Sequence, residues 1–365
     1  MTEGPRAVEP PQRQRRRAAL IELDGSHAET LYSHAFILDR LGYSVHLLLR
    51  TETRQLLGDA GPVDAIACFD IEPSFVRSLP GVRRLQAYLR DHAIDLVVLN
   101  TAEGRRVRNL CAVARDGRPF IGVVHNAHKL EASFTQSWIT RRLAGYFVLA
   151  ETIARNLAGG TVRIEPFYPI YFPAVDVAAP RDDVFEIVVP GRIDPRRRDY
   201  ASLLDELRRV RLHPSVRIVF LGDGSGAGGA KVRAALAALG EQIEIAAGFI
   251  PEREFLQRIA RARLVLPLIT PRCPEFARYR STKISGAYDL AYGFGVPMLN
   301  HESLAHLEEI RLASVLYADG ALVCRVNALI AAPQALDAVR MQIRQHAGFA
   351  LAAQTARYAR LVARA

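Results

Sequence analysis

Short apolar runs alternating with amphipathic segments recur along most of the chain, in two series separated by a proline-rich stretch. A short apolar run suits a strand buried on both faces, and strands that alternate with helices build a parallel, doubly wound sheet. The first series predicts strands at 18–23, 44–49, 94–99, 120–124, 145–149 and 162–166. Helices are expected between them near 31–41, 82–92, 105–115 and 152–157, the first closed by Gly42 as a C-terminal cap. The stretch 167–180 has no periodicity and leads into the polar Arg181-Asp182-Asp183, which predicts a linker. The pattern then restarts, with strands at 185–189, 216–221, 243–245, 264–269 and 296–299 and helices at 201–210, 230–239, 252–262 and 284–292. The expectation is an α/β chain of two Rossmann-like doubly wound domains, 18–175 and 184–333, with a C-terminal helix over 334–365 and a disordered basic tail over 1–17.

A chain of 365 residues exceeds what one core comfortably supports, which agrees with two domains. Cys68, Cys111, Cys273 and Cys324 lie far apart with no C-x-x-C pair, which argues against a zinc site or a disulfide framework and fits a reducing compartment. The first residues are rich in proline and arginine and lack an apolar core, so no signal peptide is read, and no apolar run approaches a membrane span. A cytoplasmic protein is therefore expected. The formal charge of +10 favours an anionic partner: nucleic acid, an anionic membrane face or phosphorylated small molecules. Nucleic acid is the weakest of these, because aromatics are only 8% and no zinc-finger or RNP-like pattern occurs.

The chemistry-bearing segments fall after predicted strands. Pro190-Gly191-Arg192-Ile193 follows strand 185–189 and is succeeded by Arg196, Arg197 and Arg198. Arginine between a strand's C-terminal end and the next helix suits an anionic ligand, with Arg192 and Arg198 as the leading candidates. Thr282-Lys283-Ile284-Ser285-Gly286 combines a hydroxyl, an ammonium and a helix start, a second phosphate site. His125 stands at the end of strand 120–124, with His128 an equal rival. The first β-α turn, Asp24-Gly25-Ser26-His27-Ala28-Glu29, brings small residues Gly25 and Ser26 where backbone can approach a ligand, and offers His27 or Glu29 as a base. Gly222-Asp223-Gly224-Ser225-Gly226 is glycine-rich but lacks a convincing dinucleotide register. Glu252 and Glu302 are weaker candidates for ribose or base contacts.

Several of these segments resemble the GT-B-fold glycosyltransferases, and the second half is most similar to their family 4-type members. The likeness rests on Gly191-Arg192-Ile193 with the arginines after it, on Phe220-Leu221-Gly222-Asp223-Gly224, on Gly248-Phe249-Ile250-Pro251-Glu252, on the corner Ala291-Tyr292-Gly293-Phe294-Gly295-Val296-Pro297, and on Val123-Val124-His125-Asn126 in the first half. The resemblance implies transfer of a sugar from a nucleotide-sugar donor to an acceptor hydroxyl in the cleft between two domains, with no cofactor and no metal. Taken with the readings above, the donor is expected at Gly191, Arg192, Arg198, Gly222, Thr282, Lys283, Ser285 and Asp289, the acceptor at Gly25 and Ser26, and catalysis at His125 and His27. The resemblance also implies a peripheral position on an anionic inner membrane face or a lipid-linked acceptor, through the basic tail and Arg83, Arg84, Arg105, Arg106 and Arg108. The family's paired glutamates, E-x₇-E, are absent from 281–290; Asp289 is the replacement for the second, and Glu275 for the first if it reaches in from upstream. That departure keeps two other readings open, a binding protein without transfer and a sugar-nucleotide epimerase.

Overall fold

The computed structural model describes residues 15–25, 27–114, 116–176, 183–226 and 228–364. Two parallel sheets organise it. The first contains β1 (Arg16–Glu22), β2 (Tyr43–Leu49), β3 (Ala65–Cys68), β4 (Leu96–Leu99), β5 (Phe120–Val123), β6 (Gly145–Val148) and β7 (Ile164–Pro166), in the order β3-β2-β1-β4-β5-β6-β7. The second contains β8 (Phe185–Val189), β9 (Val216–Phe220), β10 (Ile243–Ile245), β11 (Leu264–Val265), β12 (Met298–His301) and β13 (Ser314–Tyr317), in the order β10-β9-β8-β11-β12-β13. All pairings are parallel, as fully buried strands such as Ala18–Ile21 and Ile187–Val189 require.

In each sheet the strand order reverses once, between β1 and β4 and between β8 and β11. Right-handed crossovers therefore place the helices leading into β4, β5 and β6 on one face of the first sheet. These are α2 (Phe75–Asp91), α3 (Gly104–Val113) and α4 (Phe134–Thr140), which follow α1 (Leu31–Arg40) on the opposite face. In the second half, α5 (Tyr200–Arg209) follows β8, α6 (Glu252–Arg261) precedes β11, α7 (Gly286–Phe294) precedes β12, and α8 (Gln334–Gln345) and α9 (Leu351–Val362) end the chain.

Several expectations change. Two residues assigned to a basic tail, Arg16 and Arg17, are strand: β1 begins at Arg16, the Arg17 N–H donates to Asp95 Oδ2 at 2.7 Å, and Arg17 Nη1 donates to His92 O at 2.9 Å. Arg15 is tied to Asp39 at 2.6 Å. The rest of the tail, 1–14, lies outside the described residues. The strands β3 and β13 were not expected, because each is a short edge strand without a long apolar run. The strand over 264–269 pairs only at Leu264–Val265: Pro267 has no N–H to donate and Leu268 turns to φ +55°.

The stretch expected as a linker is partly interior. Phe167 and Tyr168 are fully buried, the Tyr171 N–H donates to Ser33 Oγ, and Gly293 lies so close to the Ile170 carbonyl that a Cβ would sit 2.4 Å from it. Nor does α9 hang free, since it returns to the first half against β7 and α1. Tyr358 packs among His34, Phe147 and Phe167, and its hydroxyl lies 3.0 Å from His34 Nδ1.

Burial, with a smaller contribution from His125, lowers the His34 pKa to about 3. The unfolded chain, with its histidine near 6.5, therefore binds a proton between those values that the native state refuses. Stability from this group is full above pH 6.5 and falls with decreasing pH, by at most about 1.4 kcal/mol per unit. Thermal unfolding between pH 4 and 6.5 should show a shallower decline for His34→Phe than for wild type.

Candidate functional site

The reversal point in each half sets a crevice at the C-terminal strand ends, and the two crevices face one another. In the first half, β1 ends on Glu22, which is fully buried. Its carboxylate accepts from Asp24 N (2.6 Å), Gly25 N (2.8 Å), Asn100 Nδ2 (2.7 Å) and Thr101 Oγ1 (2.6 Å). Gly25 follows at φ +74°, where a Cβ would stand 2.9 Å from Thr53 Oγ1. The turn thus bent carries His27, whose carbonyl accepts from Asn100 Nδ2 and from Thr30 Oγ1, both at 2.8 Å. Ser26 lies outside the described residues.

A second buried carboxylate, Glu103, organises the loop after β5. It accepts from His125 N and Asn126 N, each at 2.7 Å, from Asn126 Nδ2 at 3.1 Å and from Lys129 Nζ at 2.5 Å. His125 Nε2 meets the Asn100 carbonyl at 2.8 Å; since a carbonyl only accepts, the proton sits on Nε2 and the lone pair on Nδ1. The His27 and His125 rings stack with centroids 3.6 Å apart and planes within 3°.

Two stacked imidazoles do not readily share two charges. Burial, reinforced by the charge on His27, lowers the His125 pKa to about 3, so this ring is neutral. Desolvation acts in the same direction on His27, but the hydrogen bond and charge of Glu29, with Glu22 and Glu103 behind, outweigh it and raise its pKa above 6.5. Glu29 Oε1 lies 3.4 Å from His27 Nδ1 and is held ionised by that partner against desolvation. The proton of the pair therefore belongs to His27.

In the second half, Gly191 takes φ +89° after β8, and a Cβ on Gly222 would fall 1.9 Å from the Gly191 carbonyl oxygen. The turns after β8 and β9 touch, and only glycine fits at the contact. Arg198 Nη2 donates to Pro190 O and Nη1 to Pro267 O at 2.8 Å, bridging the ends of β8 and β11. Asp194 accepts from Arg196 at 3.0 Å and lies 3.7 Å from Arg197. Arg192 is exposed with no hydrogen bond or ion pair among the described residues.

The segment 282–286 enters the cleft by hydrogen bonding to the first half: the Ala127 N–H donates to Thr282 O at 3.0 Å. Ser285 caps α7, accepting from Ala287 N at 3.4 Å. Lys283 Nζ lies 2.7 Å from Glu275 Oε2, which puts Glu275 at the segment though eight residues upstream. Asp289 is buried without a hydrogen-bond partner on Oδ1. Desolvation, then the charge of Glu29, raise its pKa well above the carboxylate range, so α7 presents a neutral carboxyl toward the His27–Glu29 side. Glu252 accepts from the Asp59 N–H of the first half at 2.8 Å, Glu302 is exposed, and His128 is partly buried with Nδ1 unpartnered.

His27, His125, Thr282, Lys283 and Asp289 are thus gathered about one cleft, while Arg198, Gly222 and Ser285 are engaged with backbone. Glu22, Asn100, Thr101, Glu103 and Lys129 are additions that sequence reading did not supply. A signal existed: Asn100-Thr101 and Glu103 are polar residues immediately after an apolar strand, the position at which open α/β sheets place ligand groups.

No protein-family model and no curated protein sequence matches the chain. Solved structures do match it over nearly its full length. Anabaena HepE in complex with UDP-glucose superposes with a TM-score of 0.67 at 17% identity, covering 95% of this chain and 99% of HepE. The lipopolysaccharide outer core galactosyltransferase WaaB gives 0.58 at 15% identity, covering 95% and 99%. A UDP-N-acetylglucosamine 2-epimerase gives 0.62 at 10% identity, covering 94% and 95%. What the chain shares with these proteins is the fold, two Rossmann-like domains facing across a cleft in the GT-B arrangement.

Proposed function

We propose that this chain is a glycosyltransferase that moves a sugar from a nucleotide-sugar donor to an acceptor hydroxyl, of the family 4-type that its second-half motifs resemble. The observation that carries the reading is the His27–His125 stack with Glu29, held at one reversal point opposite the Arg192 and Lys283 cations at the other. HepE is in complex with UDP-glucose and the epimerase is named for UDP-N-acetylglucosamine, which supports a nucleotide-sugar donor here.

The chemistry follows from the charges. An acceptor hydroxyl gives its proton to neutral His27, Glu29 stabilises the imidazolium, and the acceptor oxygen bonds to the anomeric carbon as the bond to the diphosphate breaks. Negative charge then grows on the leaving nucleoside diphosphate, where Arg192, Lys283 and the N–H groups at the start of α7 neutralise it. His125, neutral with its Nδ1 lone pair free, accepts a hydrogen bond from a donor hydroxyl, and Asp289, held protonated, donates one. In this proposal the acceptor approaches the turn at Gly25. In the proposal side-chain cations carry the role of neutralising the leaving-group charge.

Release of nucleoside diphosphate from a nucleotide sugar tests the function; donor epimers interconverting would identify an epimerase, and tight binding with neither a carrier. Arg192→Ala should weaken nucleoside diphosphate binding by ten- to a hundredfold, the scale of a ~1.5–3 kcal/mol charge-assisted contact, without moving the unliganded melting temperature. Arg198→Ala should do the reverse first, lowering the melting temperature because the Pro190 and Pro267 carbonyls lose their donors. Calorimetry and thermal unfolding separate the two.

A base must be unprotonated, so turnover should rise with pH through the elevated His27 pKa. Glu29→Gln removes the partner that elevates it and should shift that limb to lower pH, while His27→Ala should cut kcat by roughly 10²–10⁴. Turnover should survive a chelator unchanged; loss on chelation with rescue by magnesium or manganese would overturn the metal-free scheme.

A further inference from the structure

We infer that Glu275 competes with the diphosphate of the nucleotide sugar for Lys283, as an internal counter-ion that the donor displaces and whose return speeds release of the nucleoside diphosphate. The inference rests on the diphosphate binding at Lys283, as proposed above. A cation that already holds a carboxylate takes up a second anion by exchange, because the charge-assisted contact it offers is the same one.

Three segments bring cations to one place. Lys283 Nζ lies 2.7 Å from Glu275 Oε2 and Arg278 Nη1 lies 3.8 Å from Glu275 Oε1, so the carboxylate is shared between them. Arg196 and Arg197 come from the turn after β8. The Lys283 hydrogen bond outweighs desolvation and, with the charges of Lys283, Arg197 and Arg278, holds the Glu275 carboxyl below the usual carboxylate range. Asp194 is the other carboxylate paired with these cations, 3.0 Å from Arg196 and 3.7 Å from Arg197. Lys283, Arg196, Arg197 and Arg278 thus face Asp194 and Glu275, and the excess of cations suits a diphosphate. The group also reaches the first half across the cleft, since burial and then the charge of Arg278 lower the pKa of His128.

Lys283 does not need Glu275 for its position. Its N–H and that of Thr282 donate to Arg278 O at 3.0 and 2.8 Å. The Ser281 and Thr282 carbonyls accept from Asn156 Nδ2 and Ala127 N of the first half, each at 3.0 Å. The ammonium lies over the Tyr279 ring, 5.1 Å from its centroid. Glu275 precedes the short helix Phe276–Tyr279, but its side chain caps none of that helix's N–H groups. The carboxylate, about a quarter exposed (26%), can therefore leave by rotating its own side chain while the backbone stays. Displacing it costs the same for every anion. An anion with no other contact binds weakly, whereas a nucleotide sugar offsets the cost through contacts elsewhere in the cleft.

Calorimetry with inorganic pyrophosphate and with UDP, GDP and dTDP separates this inference from the reading it rests on. Glu275→Gln keeps the size of a partly exposed side chain and should stay folded. It should bind pyrophosphate and the cognate nucleoside diphosphate about tenfold more tightly than wild type, the nucleotide's gain appearing as slower dissociation. Adding Lys283→Gln should abolish that gain, because the competition is for this cation. Pyrophosphate bound equally or more weakly by folded Glu275→Gln would overturn the inference and make Glu275 a support for Lys283. A gain that survives Lys283→Gln would overturn it too. Pyrophosphate tightening with no nucleoside diphosphate bound by either protein would support the counter-ion and overturn the nucleotide-sugar donor.

Discussion

The cleft depends on two buried glutamate side chains, Glu22 and Glu103. An ionised carboxylate inside a protein is tolerable only when its oxygens are filled with donors, and each of these is. Glu22 collects four donors and Glu103 four, and in both sets two come from consecutive backbone N–H groups of a loop leaving the sheet. The requirement to satisfy the charge thus becomes a constraint on backbone path. It aims one loop so that His27 leaves it at the right height, and the other so that His125 meets it ring to ring. Asn100 joins the two, donating to Glu22 and to the His27 carbonyl while its own carbonyl settles the His125 tautomer.

The second half solves its corresponding problem with packing and a cation. Where the first half fills strand-end loops with buried acid, this one closes them by glycine contact at Gly191 and Gly222, and by the Arg198 bridge between Pro190 and Pro267. The bridge consumes the arginine's terminal nitrogens, and Arg196 and Arg197 pair with Asp194, leaving Arg192 as the arginine of that loop with no ion pair among the described residues. Leu268, buried at φ +55°, keeps its carbonyl on the Asp199 N–H, so the unusual backbone sits against the same bridge. The opposite electrostatics of the two crevices, acid behind histidine in one and exposed guanidinium in the other, make the cleft directional.

The halves are not independent bodies joined by a tether. Tyr168 and Thr152 of the first half both bond Glu309 of the second, the 282 loop hydrogen bonds to the loop after β5, and α9 crosses back to complete the core around Phe147 and Phe167. A buried crossing has consequences for cleft geometry, because the positions of His27 and of α7 are then set by the same packed interface.

Much of this was legible in the residues. Alternating apolar runs establish two parallel α/β sheets, since a strand buried on both faces needs apolar side chains at every position, and that requirement is written locally. Gly25, Gly191 and the polar residues after strands mark the turns for the same reason, because backbone conformation is a property of a few adjacent residues. His27, His125 and Arg192 were visible as residues at strand ends. Tertiary structure alone decided that Arg198 would turn to the backbone, that Lys283 would meet Glu275, that Asp289 would be buried beside Glu29, and that α9 would leave its own half. Those outcomes depend on distance and desolvation between segments as far as 324 positions apart, as His34 and Tyr358 are. A charge's partner and its protonation state arise only when the fold brings such segments together and excludes water from between them.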